Sequence, residues 1–305
     1  MDEVLSVRHM VKHFGSVKAV DDISFTIKRG ELFGFLGVNG AGKSTTINML
    51  CTLYAAGGGS ALVCGYELGK DNDEIRKRIG VVFQNNSLDD RLTVRQNLIS
   101  RAYLYDTDHK RINNNLTMVC ELLDIGALLP RMFKDLSGGQ KRRCEIARAI
   151  MNQPEILFLD EPTTGLDPQT RKMVWHCIEL LRKEQNMSIF LTTHYMEEAA
   201  RAQHVAIIDS GKLVADSTPS ALKEKYASDR IRVYAPDYEK VIELAKNHQL
   251  EYKMKSNHIS IIIKDTLSSI PLLTEMKPFL SAFEVVQGTM DDVFINITGK
   301  QLKEE

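Results

Sequence analysis

Residues 37–45 read Gly-Val-Asn-Gly-Ala-Gly-Lys-Ser-Thr and match the pattern G-x-x-x-x-G-K-[ST]. The apolar stretch 31–36 before them predicts a buried strand, and residues 43–51 after them predict a helix. Because glycines carry no Cβ, the backbone N–H groups of such a turn can surround phosphate oxygens, and the N-terminus of the helix adds a partial positive charge. This stretch therefore predicts a phosphate-binding strand, turn and helix within an α/β core.

The residue types of this loop also predict its chemistry. Lys43 is expected to reach the β- and γ-phosphates of a nucleotide, and the Ser44 hydroxyl is expected to ligate Mg²⁺. The candidate nucleotide-binding residues of the loop are Gly37, Val38, Asn39, Gly40, Ala41, Gly42, Lys43, Ser44, Thr45 and Thr46.

A second signal is the apolar strand 156–160, which ends in Asp160 and is followed by Glu161. Asp160 is expected to hold Mg²⁺ through water, and Glu161 is expected to orient or deprotonate an attacking water. Two acids after a strand more often form a solvated turn when they stand alone. Together with the glycine loop, they favour a catalytic site.

The third signal is Leu136-Ser-Gly-Gly-Gln140, which precedes a predicted helix at 139–151. Ser137 is expected to N-cap this helix, and the glycine amides with the helix dipole predict a second anion site. Lys141-Arg142-Arg143 is interpreted as a solvated helix face, because binding to a nucleic-acid duplex needs a wider basic stripe.

The rest of the chain predicts two domains, at 1–226 and 227–305. Residues 5–28 alternate between apolar and polar types and predict an antiparallel β region with a turn at Asp21-Asp22. A helical insertion is expected at about 86–138, with Val94, Leu98 and Ala102 on one buried stripe and Ile112, Leu116, Val119 and Leu123 on another.

After this insertion, helices and strands alternate: strand 156–160, helix 169–185, strand 188–193, helix 195–202 and strand 204–209. Thr218 and Pro219 predict the start of a short helix. From residue 230 the predicted order is βαββαβ, with a hairpin turn at Ser256-Asn257, which is typical of a ferredoxin-like unit.

Composition limits the classes of function. The 305 residues include 39 Lys and Arg against 40 Asp and Glu, so the formal net charge of −1 argues against a strongly basic nucleic-acid binder. No run approaches the roughly 18 apolar residues of a membrane span. The acidic N-terminal residues do not match a secretory signal, and the chain is expected to stay in the cytosol.

The glycine loop, Leu136-Ser-Gly-Gly-Gln140 and the strand ending at Asp160-Glu161 together resemble the ATP-binding subunit of an ABC transporter. The segment after Gln140 and the late stretch 289–299 are similar to the drug and antibiotic export subfamily of ABC-2 type. This resemblance implies a P-loop NTPase cassette: a RecA-like core with an antiparallel β region and a helical insertion. A small α+β, ferredoxin-like domain would follow the cassette.

The resemblance also implies roles for further residues. Gln84 would touch Mg²⁺ and relay the nucleotide state to a membrane subunit, and His194 would contact the γ-phosphate. Gly165-Leu166-Asp167 would cross a dimer interface, and Phe14 would stack on adenine. The implied catalytic residues are Glu161, His194, Gln84 and Lys43, and the implied Mg²⁺ contacts are Ser44, Gln84 and Asp160.

The cofactors expected from the resemblance are ATP and Mg²⁺. One chain would not complete the site, because Ser137, Gly138, Gly139 and Gln140 of a second chain would close it, giving a homodimer or pseudo-dimer with composite sites. A separate integral membrane permease is the other expected partner, with this chain peripheral on the inner face of the cell membrane and no nucleic acid bound.

Two alternatives remain open at this point. A soluble ABC ATPase acting on nucleic acid or ribosomes usually carries two cassettes, coiled coils or basic extensions, and the sequence has no such feature. Residues 228–305 are either a ligand-sensing module or a plain dimer contact or packing appendage, and the second interpretation is favoured.

Overall fold

A computed structural model describes residues 3–300 and divides the chain into two compact units between Ser217 and Thr218. The sequence-based boundary at 226/227 lies later. The difference has a physical reason: the helix Pro219–Tyr226 packs against the helix Met290–Thr298 inside the second unit. The amide of Asn296 also donates to the carbonyl oxygen of Tyr226 at 2.7 Å.

The first unit contains ten strands and seven α-helices among the described residues. Its strands are β1 (Glu3–Phe14), β2 (Val17–Lys28), β3 (Leu32–Leu36), β4 (Gly58–Val63), β5 (Tyr66–Glu67), β6 (Ile79–Val82), β7 (Ile156–Asp160), β8 (Ser188–Thr193), β9 (His204–Asp209) and β10 (Lys212–Ser217). Its helices are α1 (Lys43–Leu50), α2 (Asn72–Arg78), α3 (Val94–Ala102), α4 (His109–Leu123), α5 (Gly138–Ile150), α6 (Pro168–Gln185) and α7 (Met196–Ala199).

The central sheet of this unit has the order β10-β9-β3-β8-β7-β6, with β10 antiparallel and the other strands parallel. All residues of β3, β7 and β8 are buried, as expected for strands covered on both faces. Leu36 pairs with Thr193, and Asp160 pairs with Thr192. The register therefore brings the carboxyl ends of β3, β7 and β8 to one edge, where ligands bind in open α/β sheets.

The predicted antiparallel region forms a second sheet of order β2-β1-β4-β5. The turn predicted at Asp21-Asp22 is wrong, because both residues lie inside β2. Asp22 has φ 60°, and the register shifts between the pairs Met10 with Ile23 and Lys12 with Val20, which is a bulge opposite β1. The chain reverses at Gly15 instead, where φ is 57°.

The segment predicted as a helical insertion contains α3 and α4. Both predicted apolar stripes are buried, on α3 (Val94, Leu98, Ala102) and on α4 (Ile112, Leu116, Val119, Leu123). Thr93 and Gln96 form a capping box at the start of α3, and Asp108 caps α4. These caps explain why the helices begin where they do.

The second unit carries a four-stranded sheet with the order β12-β13-β11-β14, in which every pair is antiparallel. Its strands are β11 (Asp229–Tyr234), β12 (Tyr252–Met254), β13 (Ile259–Ile263) and β14 (Ala282–Val286), and its helices are α8 (Pro219–Tyr226), α9 (Glu239–Asn247), α10 (Ser269–Met276) and α11 (Met290–Thr298). The predicted strand and helix order is observed, and the hairpin turns at Ser256-Asn257 as expected, where the Lys255 N–H donates to the His258 carbonyl. Ile231, Val233 and Ile261 form the centre of this unit's own core.

Several elements were not anticipated from the sequence: β4, β5, α2, β6, β10 and α11. α11 begins with a capping box between Thr289 and Asp292, and Asp292 also pairs with Arg230 of β11. Within residues 3–300, no helix combines the length and the apolar character that crossing a membrane would need.

Candidate nucleotide-binding and hydrolysis site

The glycine loop fills the turn between β3 and α1 and leaves no room for other residue types at two positions. A Cβ on Gly42 would lie 2.4 Å from the Ala19 carbonyl oxygen, and a Cβ on Gly37 would lie 2.6 Å from the Ile208 carbonyl oxygen. Gly42 also has φ 115°, which L side chains rarely adopt. It precedes α1 without any side-chain cap, so the first N–H groups of that helix are free to meet an anion.

Lys43 is folded over this loop. Its side chain is 4% exposed, and Nζ donates to the carbonyl oxygens of Gly37 at 2.8 Å and Val38 at 3.2 Å. Nζ also lies 3.2 Å from Oε1 of Glu161. The cation is therefore held at the edge of the sheet by neutral acceptors and one carboxylate.

A cavity of about 460 Å³ opens above the loop. The predicted site residues that line it are Asn39, Gly40, Gly42, Lys43, Ser44, Thr45, Gln84 and Glu161. Val17, Lys18, Ala19 and Ser210 complete the lining. Thus the glycine loop, Gln84 and Glu161, which are far apart in sequence, face one cavity.

Glu161 occupies a strained backbone position directly after β7, with φ 46°. Its N–H donates to the backbone carbonyl of Thr192 at 3.2 Å and to the hydroxyl of the same residue at 3.1 Å, which anchors it to β8. Its carboxylate receives a hydrogen bond from Thr164 Oγ1 at 3.2 Å and lies 3.3 Å from His194 Nδ1.

These contacts set the charge of Glu161. The His194 contact, followed by the Lys43 cation, lowers the pKa of the Glu161 carboxyl from 4.5 to about 2, against burial, which raises it. Glu161 is therefore ionised at neutral pH. A carboxylate in this position can accept hydrogen bonds from water and bind cations.

Asp160 lies behind this carboxylate. Its Oδ1 accepts a 2.6 Å hydrogen bond from Thr192 Oγ1 and lies 3.4 Å from Ser44 Oγ. A carboxylate beside a hydroxyl group offers the hard oxygen ligands that Mg²⁺ prefers. The donor set at Ser44 and Asp160 thus fits a magnesium ion.

The segment Ser137–Gln140 is not among the residues that line the cavity. Ser137 N-caps α5 as predicted, and with Gln140 it forms a capping box: Ser137 Oγ accepts from the Gln140 N–H at 3.4 Å, and Gln140 Oε1 accepts from the Ser137 N–H at 3.1 Å. The capping box therefore occupies the N–H groups of Ser137 and Gln140 within one chain and does not involve those of Gly138 and Gly139.

The remaining candidates fall around these two centres. His194 directly follows β8 and lies 3.3 Å from the Glu161 carboxylate, while Asp167 caps α6. Thr46 is buried and its hydroxyl donates to the Gly42 carbonyl. Phe14 is 47% exposed and packs edge-on against Tyr54 with 5.8 Å between ring centroids, outside the lining of the cavity.

The solvated face predicted for Lys141-Arg142-Arg143 is wrong at the last two positions, because both arginines are buried. The Arg142 guanidinium donates to the carbonyl oxygens of Phe83 at 2.6 Å, Pro162 at 2.7 Å and Asp160 at 3.2 Å. Burial lowers the pKa of Arg142 to about 10. Arg142 thereby fixes the residue before Gln84 to the backbone around Glu161, and nothing in the local sequence indicates this role.

Glu145 is a second buried group that the sequence did not reveal. Its carboxylate accepts from the N–H groups of Ser87 and Leu88 and from the Ser87 hydroxyl, and it pairs with Arg148. Through Glu145, α5 therefore anchors the segment that follows Gln84.

A glycine loop, an uncapped helix end and paired acids at the carboxyl edge of a parallel sheet define the first unit as a P-loop nucleotide-binding cassette. Residues 20–164 match the family model for ABC transporters. Over 300 residues the chain is 34% identical to the daunorubicin/doxorubicin resistance ATP-binding protein of Streptomyces peucetius, covering 95% of this chain and 91% of that protein. It is 31% identical to the Nod factor export ATP-binding protein I of Cupriavidus metallidurans over the whole of both chains.

Solved structures agree with this assignment. cbiO1 from Clostridium perfringens, part of an ABC transporter complex, superposes with a TM-score of 0.68 at 27% identity, over 73% of this chain and 91% of that chain. A dimeric ATP-binding cassette bound to ADP and Pi superposes with a TM-score of 0.63 at 24% identity, over 70% of this chain and 98% of that chain, and supports the fold. The chain belongs to the ABC transporter family and is one of its ATP-binding subunits, an ATPase.

Proposed function

We propose that this subunit hydrolyses ATP to drive export of drugs, antibiotics or similar compounds through a separate membrane permease. The observation that carries the proposal is the single cavity shared by the glycine loop, Gln84 and Glu161. Support for the substrate class comes from the resistance and export proteins that match nearly the full chain.

ATP binding would change the partners of Lys43. Phosphate oxygens carry more negative charge than the carbonyls of Gly37 and Val38, so Lys43 would turn from these acceptors and from Glu161 to the nucleotide. Glu161 would then lose a neutralising cation, and its carboxylate would become a better acceptor for a proton from water.

His194 is suited to hold the water or the γ-phosphate beside Glu161, because its ring lies against that carboxylate. Ser44 and Asp160 would hold Mg²⁺, together with Gln84. When bound, the ion would neutralise charge on the phosphates. Phe14, near the cavity at the end of β1, would supply a stacking face for the adenine.

A second copy of this chain would complete the site. The segment Ser137–Gln140 points to such a partner, since it presents a helix N-terminus and two glycines yet lines no part of its own chain's cavity. Two copies arranged head to tail would form two composite sites, with Asp167 and its neighbours at the interface. Hydrolysis would remove the phosphate bridge and open the dimer.

A groove of about 300 Å³ offers a surface for the permease. Leu53, Phe83 and Tyr105 give it an apolar lining, and Arg101 gives it positive charge, whereas Arg148 is paired with Glu145. A short permease helix with an apolar face and an acidic residue would fit this groove. Because Phe83 precedes Gln84, the groove is adjacent to the nucleotide cavity, and a subunit bound there would lie on the inner face of the membrane.

For the C-terminal part, we infer a ferredoxin-like domain at about 227–305 that serves as a dimer contact or a packing appendage. The strand order and the βαββαβ sequence of elements support this topology. The helix Pro219–Tyr226 would belong to the same domain, which moves its start to Thr218.

The test is to purify the chain from detergent-solubilised membranes and from cytosol, with a slowly hydrolysed ATP analogue, and to identify what accompanies it. A polytopic membrane protein in near-equal amount is expected, and inverted vesicles containing both proteins should accumulate an anthracycline only with ATP and with Glu161 intact. Recovery only with ribosomes or nucleic acid would contradict the proposal.

A further inference from the structure

Glu198 on α7 is a buried carboxylate outside the nucleotide cavity. Its side chain is 2% exposed, and it accepts three hydrogen bonds. Oε1 accepts from Thr163 Oγ1 and from Trp175 Nε1, the latter at 3.0 Å, and Oε2 accepts from Thr193 Oγ1 at 2.7 Å. All three donors are neutral groups.

The partners of Glu198 immediately precede the partners of Glu161. Glu161 touches Thr164 and His194, and Glu198 binds the residues before them, Thr163 and Thr193. Two carboxylates therefore bridge the same two segments, one facing the cavity and one behind it. The first segment continues through Leu166, whose N–H donates to the Thr163 carbonyl, towards Asp167.

We propose that Glu198 is a positioning residue for hydrolysis, which holds Thr164 and His194 at the distances at which both can contact Glu161. The inference rests on the proposed roles of Glu161 and His194. A buried carboxylate is costly unless its donors remain in place, so the three bonds fix both segments together. Movement of the Thr163–Asp167 segment at a dimer interface would then be transmitted to His194 through Glu198.

The test is a double-mutant cycle between Glu198→Gln and His194→Ala, measured as kcat with saturating MgATP. Glu198→Gln keeps the shape of the side chain and removes one acceptor, so we expect kcat to fall about 10-fold with ATP affinity unchanged within about twofold. In the His194→Ala background the same substitution should cost clearly less than in the wild type, because one of the two groups that Glu198 positions is already absent.

Glu145→Gln is the matched control, since Glu145 is an equally buried carboxylate whose partners lie around Ser87 and Leu88. Its effect on kcat should be the same with and without His194. Thr163→Val removes one donor to Glu198, and it should lower kcat by less in the His194→Ala background, as Glu198→Gln does. This variant keeps the test available if Glu198→Gln does not fold.

An effect of Glu198→Gln and of Thr163→Val that is undiminished in His194→Ala would overturn the proposal and assign both residues to general stability. Failure of the proposed function would give a different result, because His194→Ala and Glu161→Gln would then each hydrolyse ATP at the wild-type rate.

Discussion

The first unit contains two helix N-termini preceded by glycine or serine, and they are built in opposite ways. α1 follows Gly42, has no side-chain cap and opens into the cavity. α5 follows Ser137, whose hydroxyl and the Gln140 amide satisfy each other's backbone N–H groups in a capping box. One helix end is open towards a ligand within its own chain, and at the other the N–H groups of Ser137 and Gln140 are already bonded to side chains. We call them the open end and the closed end.

This difference indicates what each end requires. At α1 a phosphate meets unsatisfied N–H groups and the buried Lys43 without any competing side chain. At α5 the capping side chains already occupy the N–H groups of Ser137 and Gln140, so an anion there would meet chiefly those of Gly138 and Gly139. In the proposed function, the open end binds the nucleotide, and the closed end contributes through a second chain.

The largest effect is expected from closing the open end with Gly42→Ala. The new Cβ would lie 2.4 Å from the Ala19 carbonyl in a backbone with φ 115°, so the loop must move and its N–H groups lose their alignment. ATP affinity, measured by fluorescent-nucleotide displacement, should fall at least about 100-fold. Gly65→Ala is the control, because Gly65 also has a positive φ of 83° but no atom within 4 Å of its Cβ, and it should bind ATP normally.

Glu161→Gln separates binding from chemistry at the open end. Removing the carboxylate charge should leave ATP binding intact and reduce turnover about 100-fold, because no group remains to accept the proton of water. The variant should form a stable dimer with MgATP, detected by size-exclusion chromatography. Hydrolysis at the wild-type rate, or a monomer at saturating MgATP, would refute the role given to Glu161.

Gly138→Asp sharpens the comparison at the closed end. A Cβ at Gly138 would meet only Leu166 Cδ2, at 3.6 Å, and an acid in the first turn stabilises a helix by about 0.5 kcal/mol. The same charge repels a phosphate, so steady-state hydrolysis should fall about 30-fold while the melting temperature stays equal or rises. Gly138→Ala should lose far less activity, and equal losses in both variants would contradict an anion contact at α5.

The smallest effect concerns the ionised Glu161 carboxylate in the chain without nucleotide. The pKa of Glu161 is about 2 in the folded chain and 4.5 ordinarily, so its ionised form stabilises the fold above pH 4.5, and this contribution is lost as the pH falls from 4.5 to 2. Between pH 5 and 3 the wild type should lose about 2 kcal/mol more stability than Glu161→Gln, measured by urea unfolding. If the free energy of unfolding of both proteins falls equally with pH, Lys43 and His194 do not stabilise the ionised form of Glu161.

The sequence predicted those parts of the site whose signals are local. The glycine loop, the strand before it and Glu161 each lie within a short segment whose apolar pattern and spacing are readable, and the cap at Ser137 follows from one serine before two glycines. Arg142 could not be predicted, because its three acceptors come from Phe83, Asp160 and Pro162, which only the tertiary fold brings together.

The distinction between local signals and tertiary contacts also explains where the fold predicted from the sequence was wrong. Asp21-Asp22 has the composition of a turn, but pairing with β1 keeps the strand and absorbs the extra residue as a bulge. α11 was missed although Thr289 and Asp292 form a capping signal, because the segment is short and Asp292 reaches its second partner, Arg230, only through the fold.

The central claim is that the open end of one chain and the closed end of another make one site, and mixing two inactive variants tests it most directly. Lys43→Ala removes the loop cation, and Gly138→Asp blocks the α5 end. Half of the dimers in an equal mixture would combine the two variants, and each would contain one intact composite site. The account predicts that ATPase activity returns to about a quarter of that of the wild type. A mixture that remains as inactive as its two components, although mixed dimers form, would contradict it.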